Sequence, residues 1–249
     1  MLDPEENQAN IEADKKPGCL RKSVALVILL AFLAVALPNF ADLYTGKLNF
    51  LQQNSLLREE TLVQISKPAV VRIETVKKDA AFYTPRQATG FNISSTGLIV
   101  TNKHVLNQAQ LIIITFNDGR IFYTDQYEAV PGVDLAVVKI AGHDLPALTL
   151  DRQTSVQPGD TLTVIGNPLG FANVSQQGEV GAFHKLGASS ILVFDIKLPA
   201  NPGSSGSPVL NERAQVVGVV FASTTLDFAG RSELRALALP IQALPAQYE

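Results

Sequence analysis

Short apolar runs, separated by turn-forming residues, characterise the chain from Val63 onward. Several runs alternate apolar and polar positions, which is typical of β-strands with one face on a core. Turn signals such as Asn117-Asp118-Gly119 and Pro131-Gly132 lie between them. The pattern predicts strands in two groups of six, separated by a connection around residues 144–157: Val70–Val76, Gln87–Ile93, Gly97–Thr101, Leu111–Phe116, Ile121–Glu128 and Leu135–Ile140, then Thr161–Gly166, Val174–Phe183, Ile191–Ile196, Ser207–Leu210, Val216–Ala222 and Ala236–Pro240.

This order of elements predicts an all-β fold made of two six-stranded antiparallel Greek-key barrels. We expect the first barrel to cover residues 63–150 and the second to cover residues 151–249. Helices are predicted only at the edges of this body, over residues 56–65 and at the end of the chain, over residues 241–247.

The N-terminal region follows another pattern. Residues 23–37 form an unbroken run of apolar and small side chains, and four basic residues precede it: Lys15, Lys16, Arg21 and Lys22. This asymmetry predicts a cytoplasmic tail over residues 1–22, a transmembrane signal-anchor over 23–41 and a linker over 42–62. The run is shorter than the roughly 20 residues of a spanning helix. A signal peptide cleaved near residues 34–36 and a cytosolic structural helix are therefore the alternatives.

Composition narrows the classes of protein that fit. The formal net charge is -3 and the pI is near 5.7, and the chain has no basic stripe, so we expect no nucleic-acid partner. The single cysteine, Cys19, precedes the apolar run, so the predicted barrels contain no disulfide. A domain of this size can bury an adequate core without one. No metal site and no organic cofactor are indicated.

Residues 201–208, Asn-Pro-Gly-Ser-Ser-Gly-Ser-Pro, place a serine among residues suited to nucleophilic catalysis. Gly203 can adopt backbone angles closed to other residues, which lets its N–H and that of Ser205 point the same way. Two convergent N–H groups are what a tetrahedral intermediate needs to stabilise its oxyanion. Ser205 is therefore the candidate nucleophile of an acyl-transfer reaction.

A serine nucleophile needs a base, and the base needs a group that orients it. His104 and Asp134 are the candidates for these roles. An α/β-hydrolase is excluded, because its histidine follows the nucleophile, and every histidine of this chain precedes Ser205. The order histidine, aspartate, serine is that of the chymotrypsin-like proteases.

Other residues have simpler interpretations. Asp118 fits a hairpin turn, and we expect His143 and His184 to be structural. Lys197 raises the alternative of a serine–lysine mechanism.

Five segments together resemble the HtrA/Deg proteases, which are trypsin-like serine endopeptidases of the bacterial envelope and related organelles. The segments are Thr-Asn-Lys-His-Val at 101–105, Val-Asp-Leu-Ala-Val-Val-Lys-Ile at 133–140, Ile-Gly-Asn-Pro-Leu-Gly at 165–170, the serine motif at 201–208 and Lys-Pro-Ala-Val-Val-Arg-Ile at 67–73. The resemblance covers about residues 60–240. It implies His104 as general base, Asp134 as its orienter and Ser205 as nucleophile. It also implies an oxyanion hole at Gly203 and Ser205, with Ser204 adjoining.

The chain departs from the family in three ways. Position 207 is serine where the family usually has glycine, and the loop over residues 77–86 is short. We also expect the chain to lack the peptide-binding PDZ domain common in this family, since the sequence given ends just after the second predicted barrel. A homotrimer is the family expectation.

Specificity is expected to depend on residues on either side of the nucleophile: Pro199, Ala200, Phe221, Ala222 and Ser223. None of them is acidic, which favours a small or medium apolar side chain before the scissile bond. We therefore expect a membrane-anchored serine endopeptidase of the cytoplasmic membrane. Its catalytic domain would lie on the periplasmic or extracellular side and act on envelope or unfolded proteins. The alternative is a catalytically decayed binding or scaffolding protein with the same fold.

Overall fold

The computed structural model describes residues 25–30, 32, 49–77, 85–186, 191–228 and 231–248. The chain divides into two compact units, Met1–Asn49 and Phe50–Glu249. In the first unit residues 25–30 and 32 are helical and exposed. The rest of the predicted anchor, residues 23–41, lies outside the described residues. None of the helices in the described part of the chain is both long enough and apolar enough to cross a membrane.

Two short helices precede the sheets, α1 (Asn49–Leu57) and α2 (Thr61–Ser66), and a 3₁₀ turn, Lys67–Ala69, follows them. The sequence predicted a single helix over residues 56–65. The chain instead leaves the helical path between α1 and α2, and Glu60 takes extended backbone angles at the start of α2. Helix α1 buries Phe50 and Leu57, so this part of the predicted linker is packed.

The first sheet is antiparallel and has seven strands, in the order β5-β4-β1-β2-β3-β7-β6. A short helix, α3 (Lys103–Leu106), follows the third strand. The strands are β1 (Val70–Lys77), β2 (Arg86–Asn92), β3 (Leu98–Thr101), β4 (Ala109–Thr115), β5 (Ile121–Thr124), β6 (Glu128–Ala129) and β7 (Ala136–Lys139).

The prediction of a closed six-stranded first barrel is wrong in its detail, because the strand expected over Ile121–Glu128 is two strands. The backbone N–H of Gln126 donates to Thr124 Oγ1 at 3.0 Å, a local turn that ends the pairing of β5. β6 then pairs with β7 at the opposite edge. The hydrogen-bonded sheet is thus open between β5 and β6.

The second sheet is a closed barrel of six strands, in the order β10-β13-β12-β11-β8-β9, as predicted. β12 and β13 are longer than expected and continue as a two-stranded arm beyond the barrel. A 3₁₀ turn, Ile241–Ala243, stands where a terminal helix was predicted. The strands are β8 (Thr161–Gly166), β9 (Val174–Lys185), β10 (Leu192–Ile196), β11 (Pro208–Leu210), β12 (Val216–Phe228) and β13 (Arg231–Pro240).

Three apolar clusters form the core of this unit. One lies within the first sheet and includes Ile73 and Ile112, and another lies within the barrel and includes Phe194. The third joins the two sheets, since it contains Phe91 of β2 together with Ile165 of β8. The segments that carry the predicted site residues are therefore held against one another by a shared core.

Candidate active site

His104 and Asp134 are joined by two contacts. His104 lies in α3, and its backbone N–H donates to Asp134 Oδ1 at 2.9 Å. Its ring Nδ1 lies 2.6 Å from Asp134 Oδ2. The buried Asn102 adds a third link, because its side-chain amide donates to the Asp134 carbonyl at 2.9 Å. The carboxylate thus fixes both the backbone and the ring of the histidine, which is the geometry of an oriented general base.

Ser205 lies in the loop before β11, residues 201–207, which we call the serine loop. Gly203 and Gly206 have φ angles of +95° and +84°, a region that favours glycine. The Ser204 N–H donates to the Asn201 carbonyl at 2.9 Å, so it is already engaged. Over the described residues, the amides of Gly203 and Ser205 donate to no acceptor. These two N–H groups are therefore available to an oxyanion.

The serine hydroxyl is not engaged either. Over the same described ranges, Ser205 Oγ makes no hydrogen bond, to His104 or to any other residue. The loop does reach the strand that precedes the histidine, because a side chain at Gly206 would overlap Thr101 Oγ1 at the end of β3. Hydrogen bonds between nucleophile and base are often long without substrate and tighten in the complex.

Thr89 of β2 braces the serine loop from the first sheet. Its N–H donates to the Ser205 carbonyl at 2.9 Å and its hydroxyl donates to the Gly203 carbonyl at 2.7 Å. Thr89 is fully buried, and its hydroxyl also accepts from the Asn167 N–H at 2.9 Å. Sequence reasoning placed this threonine only within a strand. Its partners lie far away along the chain, so no local pattern indicates the role.

The segment Pro168–Gly170 supports the other side of the loop. Leu169 N–H donates to the Pro202 carbonyl at 2.7 Å. A Cβ at Gly203 would overlap the Asn167 carbonyl oxygen, so only glycine fits against this segment. The Ile-Gly-Asn-Pro-Leu-Gly motif of the sequence thus contributes directly to the shape of the serine loop.

Ser207, the departure from the expected glycine, is fully buried. Its hydroxyl lies where a Cβ at Gly166 would be, so the absence of a side chain in β8 makes room for it. Within the described part of the chain, Ser207 Oγ has no hydrogen-bond partner. The side chain of Ser207 is thus accommodated at the end of the serine loop, where its hydroxyl forms no hydrogen bond with the described residues.

A cavity of about 220 Å³ lies beside Ser205. Three of the five predicted pocket residues line it, namely Ala200, Ala222 and Ser223. Pro199 and Phe221 do not, and Phe221 packs against the core that joins the sheets. The remaining lining residues are Asn201, Pro202, Ser204, Ser205 and Val220, so every lining residue is uncharged.

Comparison with known families identifies the domain. Residues 88–219, more than half of the chain, match the family model of the trypsin-like peptidase domain. The chain belongs to this family. The matched segment contains His104, Asp134 and Ser205, as well as Thr89 and the Asn167 segment.

Similar proteins are of the HtrA type. The putative serine protease HhoA of Synechocystis is 34% identical over 141 residues, covering 53% of this chain and 36% of that protein. A probable periplasmic serine endoprotease DegP-like of Chlamydia trachomatis is 37% identical over 140 residues, covering 53% of this chain and 27% of that protein. The chain thus spans only about a third of these relatives.

Among solved structures, the HtrA-type protease AlgW with a tripeptide superposes with a TM-score of 0.61 at 29% identity. The match covers 72% of this chain and 58% of AlgW.

In this trypsin-like peptidase domain the remaining candidate residues have other partners. Lys197 Nζ donates to Glu179 Oε2 at 2.9 Å, and Asp118 pairs with Arg120 in its hairpin turn. That arginine lowers the pKa of the Asp118 carboxyl through a side-chain hydrogen bond. His143 is exposed. His184 Nε2 lies within hydrogen-bond distance of a buried carboxylate, 2.7 Å from Asp195 Oδ2.

Proposed function

We propose that the protein is an HtrA-type serine endopeptidase, which hydrolyses peptide bonds through an acyl-enzyme. The observation that carries the proposal is the convergence of two features. One is the histidine His104 held at two points by Asp134, and the other is Ser205 beside two backbone amides that have no intramolecular acceptor. Neither feature is needed for a fold that only binds.

The chemistry follows from this arrangement. Ser205 Oγ attacks the scissile carbonyl carbon while His104 Nε2 takes its proton, and Asp134 stabilises the imidazolium from the other side of the ring. The N–H groups of Gly203 and Ser205 donate to the oxyanion of the tetrahedral intermediate. His104 then protonates the leaving amine. A water molecule, deprotonated by the same histidine, hydrolyses the acyl-enzyme.

The pocket beside Ser205 favours a small or medium apolar side chain before the scissile bond. Its volume of about 220 Å³ and its uncharged lining support this preference, because a lysine or arginine would find no counter-charge there. Cleavage of a peptide library after basic residues would overturn this preference.

The cellular setting follows from the N-terminal sequence. The apolar run over residues 23–37 follows a basic segment, which supports a signal-anchor with the catalytic body on the periplasmic or extracellular side. The Chlamydia relative is described as periplasmic, in agreement with an envelope location. The substrates would then be envelope or unfolded proteins, and a homotrimer stays a prediction from the family resemblance.

Labelling with a fluorophosphonate probe tests the proposal. We expect the full-length protein, expressed in bacteria, to be labelled once per chain in the membrane fraction, and to resist extraction at high pH. The Ser205→Ala variant should remain folded and take up no probe, as read by intact mass. A folded wild-type protein that is not labelled, even with added unfolded protein, would favour the decayed binding protein. Labelling confined to the soluble fraction would refute the anchor alone.

A further inference from the structure

A buried ion cluster lies in the second barrel, outside the proposed catalytic site. Asp195 of β10 is 1% exposed, and its carboxylate accepts three hydrogen bonds. Arg235 Nη1 donates to Oδ1 at 2.9 Å, and Oδ2 accepts from His184 Nε2 at 2.7 Å and from the Ala182 N–H at 2.9 Å. Arg235 is itself buried and also donates to the more exposed Glu233 at 2.7 Å.

The cluster occupies space that the fold leaves open for it. A Cβ at Gly181 would overlap Asp195 Oδ1 and would lie 2.6 Å from Arg235 Nη1. Asp195 also lies where the register of β9 and β10 shifts, between Phe194 and Ile196. Such bulges re-aim side chains. A glycine and a bulge thus combine to admit one buried ion pair.

The Asp195–Arg235 pair joins β10, which leads into one wall of the pocket, to β13, which is paired with the strand of the other wall. One wall, Ala200–Pro202, follows β10, and the other, formed by Val220, Ala222 and Ser223, belongs to β12. β13 lies between them, because it pairs with both β10 and β12.

Backbone pairing between β10 and β13 ends at Ile196 and Ala236, and one further bond joins the Ala236 N–H to the Leu198 carbonyl at 2.8 Å. Arg235 immediately precedes Ala236 in β13, at the point where the two-stranded arm meets the barrel. The bond from Arg235 to Asp195 is therefore a side-chain link at the point where the main-chain links stop.

We propose that Asp195 and Arg235 are a positioning pair that sets the separation of the two pocket walls, and hence which apolar side chain the pocket accepts. The proposal rests on the proposed peptidase function and deepens it. Neither residue lines the pocket or touches the reacting atoms. They act through β10 and β13, whose displacement would move Ala200 away from Ala222 or toward it.

Asp195→Asn tests the proposal, because asparagine keeps the shape and removes the charge. A change of one methylene in the fit of an apolar pocket is worth about 10- to 200-fold in kcat/KM. We expect kcat/KM for peptides with alanine before the scissile bond to fall about 10-fold or more. The ratio of alanine to leucine cleavage should change about 5-fold or more, with the main effect in KM. Labelling by a short-chain fluorophosphonate, which leaves the pocket empty, should change less than about 3-fold.

A matched control exists in the same barrel. Glu179 and Lys197 form an ion pair at 2.9 Å between β9 and the segment after β10, but both side chains are about half exposed. Glu179→Gln should leave the cleavage ratio and kcat/KM unchanged within about 2-fold, because exposed pairs contribute little. A general sensitivity of the barrel to lost charge would affect both variants.

The outcomes separate the two proposals. An unlabelled wild-type protein would refute the peptidase function itself. A labelled wild type whose Asp195→Asn variant keeps the same cleavage ratio would refute the positioning pair alone. If the Asp195→Asn variant does not fold, the Arg235→Lys variant alone tests the positioning pair. It keeps the charge but loses the planar two-point donor, so we expect a smaller change in the same ratio. An unchanged ratio would overturn the proposal.

Discussion

One histidine–aspartate pair lies beside the first sheet and another lies within the second, and their surroundings differ although their bonds are alike. His104 Nδ1 lies 2.6 Å from Asp134 Oδ2, and His184 Nε2 lies 2.7 Å from Asp195 Oδ2. The side chain of Asp134 is 30% exposed and that of Asp195 is 1% exposed. Both oxygens of Asp134 serve His104, whereas Asp195 also binds the Arg235 guanidinium.

A short imidazole–carboxylate distance therefore does not by itself indicate a catalytic pair. A carboxylate that serves one histidine can stabilise the positive charge that develops on its ring. A carboxylate already paired with a buried arginine has its charge largely neutralised, and desolvation makes that pairing obligatory. The surroundings of each pair, rather than its own geometry, separate the proposed base from the proposed structural pair.

Substituting one member of each pair should give very different results. Asp134→Asn leaves His104 without its anionic partner and favours the wrong tautomer of its ring, so we expect kcat to fall about 10⁴-fold. His184→Gln keeps an amide that can donate to Asp195, and should change kcat by less than about 10-fold. Steady-state cleavage of one peptide by both purified variants, with matched thermal melts, measures the contrast. Equal losses in the two variants would mean that His184 takes part in catalysis.

Of the two aspartates, the buried Asp195 should have the larger effect on how the stability of the fold responds to acid. Burial acts to raise the pKa of the Asp195 carboxyl, but hydrogen bonds from His184, Arg235 and Ala182 outweigh it and hold the pKa below its usual value. A carboxyl with a lowered pKa stabilises the folded state above its unfolded pKa of about 3.9, and this contribution is lost as the pH falls through the folded value.

Urea unfolding between about pH 7 and pH 3 measures this contribution. At pH 7 we expect Asp195→Asn to lower the free energy of unfolding by about 3 kcal/mol, as for other broken buried pairs. The variant should also lose less stability than the wild type below about pH 4. Parallel curves for the two proteins would show that other carboxylates control acid unfolding.

Most of the fold follows from local sequence pattern, and the misses have physical causes. The buried strands, such as β8 and β11, were predicted within a residue or so, because their apolar runs are bounded by turns. The arm formed by the distal halves of β12 and β13 was missed. Its residues are mostly exposed or half-buried, so the alternation that signals a core-facing strand is absent.

The sequence pattern likewise predicts some residues of the site and misses others. His104, Asp134 and Ser205 lie in short segments whose composition indicates their chemistry. Thr89 and Asp195 do not, because their roles depend on contacts with residues distant in sequence. The cross-strand partner of Asp195, Leu237, is ordinary barrel sequence and indicates no ion pair nearby. Polar contacts between residues distant in sequence are thus the part of the site that could not be predicted from a single sequence.

Ser207 supplies the opposite case to Asp195, a buried polar group without a partner. An unsatisfied buried hydroxyl costs about 1 kcal/mol or more. We therefore expect Ser207→Ala to raise the free energy of unfolding by about 1 kcal/mol, measured by urea titration. Thr101→Val is the control, since its hydroxyl donates to the Thr89 carbonyl at 2.7 Å and its loss should destabilise. A destabilised Ser207→Ala would mean that this hydroxyl is hydrogen-bonded in solution.

The hydrogen bonds from Thr89 to the serine loop determine when the proposed peptidase activity can first arise during synthesis. Thr89 leaves the ribosome 114 residues before Gly203, the residue whose carbonyl its hydroxyl holds. The first sheet is synthesised before the serine loop, and it does not contain Ser205, the proposed nucleophile. The serine loop in turn lacks the two hydrogen bonds from Thr89 until it meets the first sheet. We therefore expect the proposed peptidase activity to arise only after the last strands have closed the barrel.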